Sequence, residues 1–545
     1  MFSRLRPIHL AFFAIFWQGL GAWAAWQGNP FARLPVEDAA MYWDWANDIA
    51  DGHLVGETPF LSAPLYPYFL GFLRTLGFGL PGILAAQSLL HGATVFLIAD
   101  AARRHFNLKC GLLSGLFYLF CSEPTFYAAR LLNPSVQLFT IALVLWLAEQ
   151  QRRRSLAASL GLSCLANPAM LLTIPFFAWW SAPQVKSRLR FAAIALLVIS
   201  PATLHNYVAT SRTTSGAEFI PISAQAGVTY FHGNAEGATG IYHAIPGVSA
   251  SRLQQNADAF SMASKATGEA SWSATSNYFF AQGLTFLMDK PVDALLLHGR
   301  KLAWLMTSVH YGDVYQPTLE SRNDDFGSPL AELRTPIRTA NAIWLALPAI
   351  FLLWRKRRDR DAHQAKGILL LFLMPVLVVL IFWYGPRYRM PILPIAVFLI
   401  PWGLQRLTEH NRYWLWLALF VSVFLPSLNP ADSPNDFRGQ FQHSLGASYR
   451  VLADGAVVGT PTENTTPLQE PQILLALAEK NLRQAIFRGY DTATTHFDLA
   501  QTLMKLERWP EAIDELRATL GLDPQHALAA RNLQAIQEWL QQNPQ

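Results

Sequence analysis

The sequence predicts a mainly α fold: a polytopic α-helical membrane protein with a soluble mixed external loop and a C-terminal α-helical domain. Three observations predict it. The chain has 545 residues, is 52% hydrophobic and only 14% charged, with 18 Trp and 35 Phe, which is too apolar and too aromatic for an ordinary soluble protein. Apolar runs approaching the ~20 residues needed to cross a bilayer recur along the first 428 positions. Lys and Arg collect in every second connection between them.

The net charge of +5 does not point to nucleic acid, because the basic residues sit in short runs between apolar segments rather than along one surface. Cys110, Cys121 and Cys164 lie in or beside apolar segments and read as small core residues, giving neither a disulfide framework nor a zinc site.

The expected spans, in order, are Ile8 to Trp26, Pro81 to Ala102, Gly111 to Ser122, Ala128 to Leu147, Leu156 to Leu165, Met170 to Trp180, Phe191 to Tyr207, Ile337 to Trp354, Ile368 to Tyr384, Met390 to Leu404 and Tyr413 to Leu425. That is about eleven crossings, several of them short. Arg4 and Arg6, Arg103 to Lys109, Arg152 to Arg154, Lys186 to Arg190, Arg355 to Arg358, and Arg406 with Arg412 can all be cytoplasmic in one register, which expects a cytoplasmic N-terminus and an external tail. The first span could instead be a signal peptide, since Ala22-Trp-Ala24 resembles a small-residue cleavage site; the next loop lies outside either way. External segments are then 28–80, the long stretch 209–336, the turn Gly385-Pro-Arg-Tyr-Arg389, and everything after Pro426. Pro291 to Val309 reads as an interfacial helix carrying His298, Arg300 and Lys301.

Beyond residue 428 the apolar runs stop. Residues 429–467 are rich in Pro, Asp, Ser, Gly and Thr and read as a linker. From 468 to 545 helical signals return, and Ala493 to Pro524 fits a tetratricopeptide repeat: Leu499, Ala500 and Leu503 at the first-helix packing positions, Ala512 and Leu516 at the second, then Asp523-Pro524, with Ala527, Asn532 and Leu533 opening another copy at the 34-residue period. Gln472 to Phe487 is an extra helix completing the unit. The alternatives are a protein-docking groove and a simple cap on the membrane part.

The most informative segment is Leu34 to Gly52, acidic and aromatic between two apolar runs. If Asp38 to Asp51 is helical, Asp38, Tyr42, Trp45 and Ile49 share one stripe while Asp44, Asp48 and Asp51 share another. Asp38 is the acid on the apolar stripe, where a carboxylate is poorly hydrated. It could also be a helix N-cap. No Walker loop or HExxH helix occurs, and Gly77-Phe-Gly79-Leu-Pro-Gly82 holds a proline and joins two membrane segments, which excludes a dinucleotide turn. No cofactor and no metal are expected.

The acidic entry of the first external loop, Thr58-Pro-Phe-Leu-Ser-Ala-Pro-Leu-Tyr-Pro67 with Tyr68, and Arg387-Tyr-Arg-Met-Pro391 together resemble the GT-C class of membrane glycosyltransferases. More narrowly they are similar to bacterial relatives of the protein mannosyltransferases of glycosyltransferase family 39 and of lipid A aminoarabinose transferase. Gly161 to Pro168 and Gly227 to Gly240 add to the resemblance, which spans nearly the whole chain. It implies a general base in the first external loop at Asp38, with Glu37 as runner-up. It implies Arg387 and Arg389, flanking Tyr388, at the donor's lipid phosphate, and Tyr42, Tyr66, His232 and Asn234 as candidates to line the pocket. Asn167-Pro168 departs from the pattern, where such proteins frequently carry Arg or Lys before the proline.

The expected activity is therefore inverting transfer of a sugar from a polyprenyl-phosphate donor to an acceptor on the outer face of a bacterial inner membrane. The partners are membrane lipids, the lipid-linked donor, and a protein acceptor or assembly partner met by the tail; nucleic acid is not among them. Two other classes stand beside it. A scaffold would keep its function without Asp38. A lipid or polysaccharide transporter would need polar residues inside the spans, where almost none are expected.

Overall fold

The computed structural model describes residues 5–213, 216–249, 252–308, 314–315, 317–320, 338–356, 362–428, 437–455 and 470–542. The fold is mainly α, with helices joined by turns and no strand among the described residues. Among the described residues four helices are long and apolar enough to cross a membrane, Pro7–Gly28, Leu80–His105, Val185–Ser211 and Met390–Glu409, and five shorter apolar helices accompany them. Large apolar side chains such as Phe12, Phe16, Trp23, Leu197, Trp416 and Phe420 are exposed, which suits a lipid-facing surface.

At the centre lies the helix Leu393–His410, where every residue from Ile395 to Ile400 is fully buried. It packs against Leu80–His105, Leu108–Leu119, Pro134–Glu149 and Thr339–Lys356. A helix apolar on all sides must be enclosed by others, so the turn leading into it is fixed on both flanks.

The helix Leu80–His105 corrects one sequence expectation. It buries Gln87, His91 and Asp100, so the spans are not nearly free of polar groups. Gln87 accepts from the Tyr66 hydroxyl at 2.7 Å and donates to the carbonyls of Ala128 and Arg130 at 3.0 and 2.8 Å. Asp100 pairs with Arg103 and Arg104, both at 2.6 Å, and accepts from the Trp146 indole at 2.9 Å. These groups tie neighbouring helices together, the role interhelical hydrogen bonds play in an apolar surrounding; they do not form a file across the bilayer.

The long connection after Val185–Ser211 forms helices Ala226–Gly233, Arg252–Thr267, Trp272–Asp289 and Pro291–Leu305. Gly233 is required by close approach: a Cβ there would lie 1.9 Å from the Phe382 carbonyl oxygen. Asn234 follows it and donates to the Tyr230 and Ile381 carbonyls, both at 2.8 Å. Lys301, on the helix read as interfacial, is fully buried and donates to Asn234 Oδ1 at 2.8 Å and to the Leu380 carbonyl at 2.9 Å. Burial pulls its ammonium down to about 7.

The linker expected over 429–467 is also corrected. Its segments 429–436 and 456–467 lie outside the described residues, but between them runs the helix Arg438–Ala453. Phe441, Leu445, Tyr449 and Leu452 are buried on one face, the i, i+4, i+8, i+11 spacing of an amphipathic helix. Gly446 lets this helix close on Pro471–Phe487, since a Cβ there would meet Leu482 Cγ at 2.7 Å and the Ala478 carbonyl oxygen at 3.0 Å. Helices Ala493–Lys505, Trp509–Leu522 and Ala527–Gln542 complete the C-terminal layer. Leu499, Ala500, Leu503, Ala512 and Leu516 are fully buried, and the last helix buries Ala529 and Ile536.

Candidate active site

The acidic segment forms the helix Asp38–Ala50, with Tyr42, Trp43, Ala46 and Ile49 buried and Asp44, Asp48 and Asp51 exposed. Asp38 is the first helical residue. The N-cap position belongs to Glu37, which makes no side-chain cap bond, so the capping alternative for Asp38 is not the one realised. Glu37 holds φ 49° and ψ −123°, a conformation that costs a non-glycine residue roughly 1–3 kcal/mol and persists only where its surroundings impose it.

Two distant segments supply that constraint. The Tyr315 hydroxyl accepts from the Val36 amide and donates to the Val36 carbonyl, both at 3.1 Å. Gln440, on the C-terminal helix Arg438–Ala453, donates to Glu37 Oε1 at 3.1 Å. Phe31, in the short helix Pro30–Arg33 just before the turn, packs on Tyr315 with ring centroids 5.6 Å apart and on Phe441 at 5.7 Å. The turn 36–38 is thereby held from both sides.

Asp38 Oδ2 meets Arg387 Nη1 at 2.7 Å. The arginine comes from the turn 385–389 that feeds the central helix, closed by a bond from the Tyr388 amide to the Gly385 carbonyl at 3.0 Å. The two side chains are 15% and 24% exposed respectively, recessed but within reach of a ligand.

Arg389, the second arginine of the motif, is placed differently. It is 3% exposed; its Nη2 meets Glu123 Oε1 at 3.1 Å and its Nη1 donates to the Thr307 carbonyl at 2.5 Å. Glu123 also accepts from the Thr339 amide at 3.0 Å and the Ser122 hydroxyl at 3.1 Å. Arg389 thus joins the helix Ser122–Ala128, the end of Pro291–Leu305 and the start of Thr339–Lys356, two residues from Arg387.

The remaining candidates divide. Tyr42, on Asp38–Ala50, and Tyr66, on the helix Leu65–Thr75, meet edge to face at 5.2 Å, and Tyr66 is fully buried on Gln87. Tyr388 is 37% exposed. Its ring starts a run of aromatic contacts through Trp383 at 4.7 Å and Tyr242 at 5.7 Å to His232 at 4.8 Å. His232 Nδ1 lies 2.6 Å from the His243 carbonyl oxygen, and Asn234 carries Lys301. Asn167 caps the 3-10 turn Pro168–Thr173, its side chain accepting from the Ala169 amide at 3.3 Å.

Sequence reasoning missed Tyr315, Gln440, Glu123, Lys301 and the buried pair Arg130–Glu320, which Asn29 joins by donating to Glu320 at 2.5 Å. Only Lys301 carried a signal, as a cation on an apolar helix. Among the described residues no group of three or more His, Cys, Asp or Glu could hold a metal ion.

No family model matches the chain, and no curated protein does. Among solved structures, it is similar to an archaeal oligosaccharyltransferase, AglB from Archaeoglobus fulgidus, in complex with an inhibitory peptide and a dolichol-phosphate: 10% identity, 86% of this chain and 62% of that one, TM-score 0.40. The apo form of an Archaeoglobus fulgidus oligosaccharyltransferase matches at 11% identity over 86% of this chain and 62% of that one, TM-score 0.42. The chain spans about three fifths of the length of these structures. Similarity at this level carries no argument for the site, which rests on its own geometry.

Proposed function

We propose that the protein is a GT-C-type membrane glycosyltransferase that moves a sugar from a polyprenyl-phosphate carrier to an acceptor at the membrane surface. The observation that carries the reading is the 2.7 Å contact between Asp38 and Arg387. Each was singled out for a separate half of the same reaction, and the fold brings them together from opposite ends of the membrane domain.

In the proposed step the acceptor oxygen forms a bond to the anomeric carbon while its proton passes to the Asp38 carboxylate. The bond from that carbon to the lipid phosphate breaks, and the phosphate oxygen takes the electron pair. Arg387 stabilises the charge that develops there, as a guanidinium does for phosphate oxygens. A donor phosphate arriving beside Arg387 loosens its hold on Asp38, so donor binding readies the base. Arg389 supports the turn from beneath through Glu123, and the C-terminal helices meet the acceptor or an assembly partner. Localisation in a bacterial inner membrane with this face outward completes the reading.

The test is an assay of the purified protein with a panel of radiolabelled polyprenyl-phosphate sugars, comparing wild type with Asp38→Asn. Removing a positioned base lowers turnover by about 10²–10⁴-fold. Transfer that persists in the variant overturns the base assignment, and no transfer from any donor favours a scaffold.

A further inference from the structure

Away from the active site, a cavity of about 150 Å³ opens where the helices Arg153–Ala166 and Val185–Ser211 begin. Arg153, Arg154 and Arg190 line it together with Ser187, and Phe191 and Ile194 supply an apolar wall. None of the three arginines is in an ion pair among the described residues. Neither helix has an acidic residue in its first turn. Arg188 is used differently: it donates to the Ala182 carbonyl at 2.9 Å and to the Pro183 carbonyl at 3.2 Å, bracing the turn that forms one rim.

Three exposed cations that pair with no acid line one recess, and a bound anion relieves their mutual repulsion. Guanidiniums match phosphate oxygens in pairs, and the first-turn amides of both helices add partial positive charge. The neighbouring apolar surface is what separates a lipid from a free ion: half-buried Ile194 and exposed Leu197 lie at i+4 and i+7 from Arg190, one and two turns along the same helix face. A basic recess between membrane helices with an adjoining apolar wall is the form of an anionic-headgroup site.

We propose that this recess binds the phosphate of an anionic phospholipid, with Arg153, Arg154 and Arg190 as its ligands and Ile194 and Leu197 against the upper acyl chains. The site is independent of the transfer reaction and of Asp38.

The test is native mass spectrometry of the full-length protein from mixed phosphatidylglycerol and phosphatidylcholine micelles, with and without millimolar inorganic phosphate. Wild type retains phosphatidylglycerol in preference to phosphatidylcholine. Arg153→Gln/Arg154→Gln/Arg190→Gln weakens that retention at least about tenfold, the loss expected from removing two or more charge-assisted contacts, while Lys186→Gln does not. Equal retention of the two lipids by wild type overturns the proposal without recourse to any variant. Undiminished retention in the triple variant overturns it as well, and full displacement by inorganic phosphate assigns the recess to free phosphate instead.

Discussion

Gln440, in the C-terminal helix Arg438–Ala453, donates a hydrogen bond of 3.1 Å to Glu37, the residue immediately before Asp38. The C-terminal layer and the first loop therefore share one hydrogen-bonded turn. Because Tyr315 grips the preceding residue, Val36, by both its amide and its carbonyl, the turn carrying Asp38 is held by two side chains outside the Asp38–Arg387 pair.

In the proposed reaction these two are positioning residues. Removing the hydroxyl in Tyr315→Phe deletes two bonds worth about 1 kcal/mol each, and Gln440→Ala deletes one. Tyr315→Phe is expected to lower kcat by roughly tenfold at unchanged KM, with Gln440→Ala milder. Both leave the thermal unfolding midpoint within a few degrees of wild type. A fall in stability with kcat preserved would make them merely structural.

Glu123 and Arg389 are fully desolvated partners, so removing one strands the other. Glu123→Ala costs about 3–5 kcal/mol for that reason, read as a large fall in the midpoint of thermal aggregation in detergent. Glu123→Met paired with Arg389→Met is expected to be much milder than either single change. Additive losses in the double variant would show that the two do not act as a pair.

Two glycines give opposite outcomes on the same substitution. Gly233→Ala drives a methyl into the Phe382 carbonyl and should abolish accumulation of folded protein, seen as loss of the monodisperse peak in size exclusion. Gly299 lies mid-helix in Pro291–Leu305, with nothing within 4 Å of the place an added methyl would occupy. Gly299→Ala should gain roughly 0.5–1 kcal/mol from helix propensity, raising the melting midpoint.

His496 gives a pH dependence confined to the C-terminal helices. Burial lowers its affinity for a proton, but bonds to Glu515 at 2.5 Å and Asp491 at 2.7 Å outweigh that and raise its pKa. A raised folded value means the contribution to stability is fully present below the unfolded value of about 6.5 and is lost as pH rises through the folded one. Hydrogen exchange in Ala493–Lys505, corrected for intrinsic rates, should quicken with rising pH in that window. In His496→Phe it should not.

The helix Asp38–Ala50 and the separation of Asp38 from Asp44, Asp48 and Asp51 were legible because helical periodicity is local. Arg387 and Arg389 were legible only as a pair: spacing could not say that one turns toward Asp38 and the other into Glu123, since that depends on where Ser122–Ala128 docks. The helix Arg438–Ala453 shows a different failure. Its apolar spacing was present in Phe441, Leu445, Tyr449 and Leu452, but flanking Pro, Gly and Thr outweighed it, and Gly446 reads as a helix breaker until Leu482 is seen packed against it. Tyr315 and Gln440 act through contacts spanning 279 and 403 positions, a range at which one sequence carries no pairwise signal.

The Gln440 contact also sets a schedule for biosynthesis. Val36, Glu37 and Asp38 leave the ribosome before the membrane helices that follow them, and those helices can insert one after another. The brace for the turn is translated 403 positions after Glu37. A nascent chain halted before Gln440 has Asp38, Arg387 and the Tyr315 contact to Val36, but not the Gln440 contact that completes the hold on the turn. The hold on the turn is then completed late, after every helix from Asp38–Ala50 to Arg412–Phe424 has been translated.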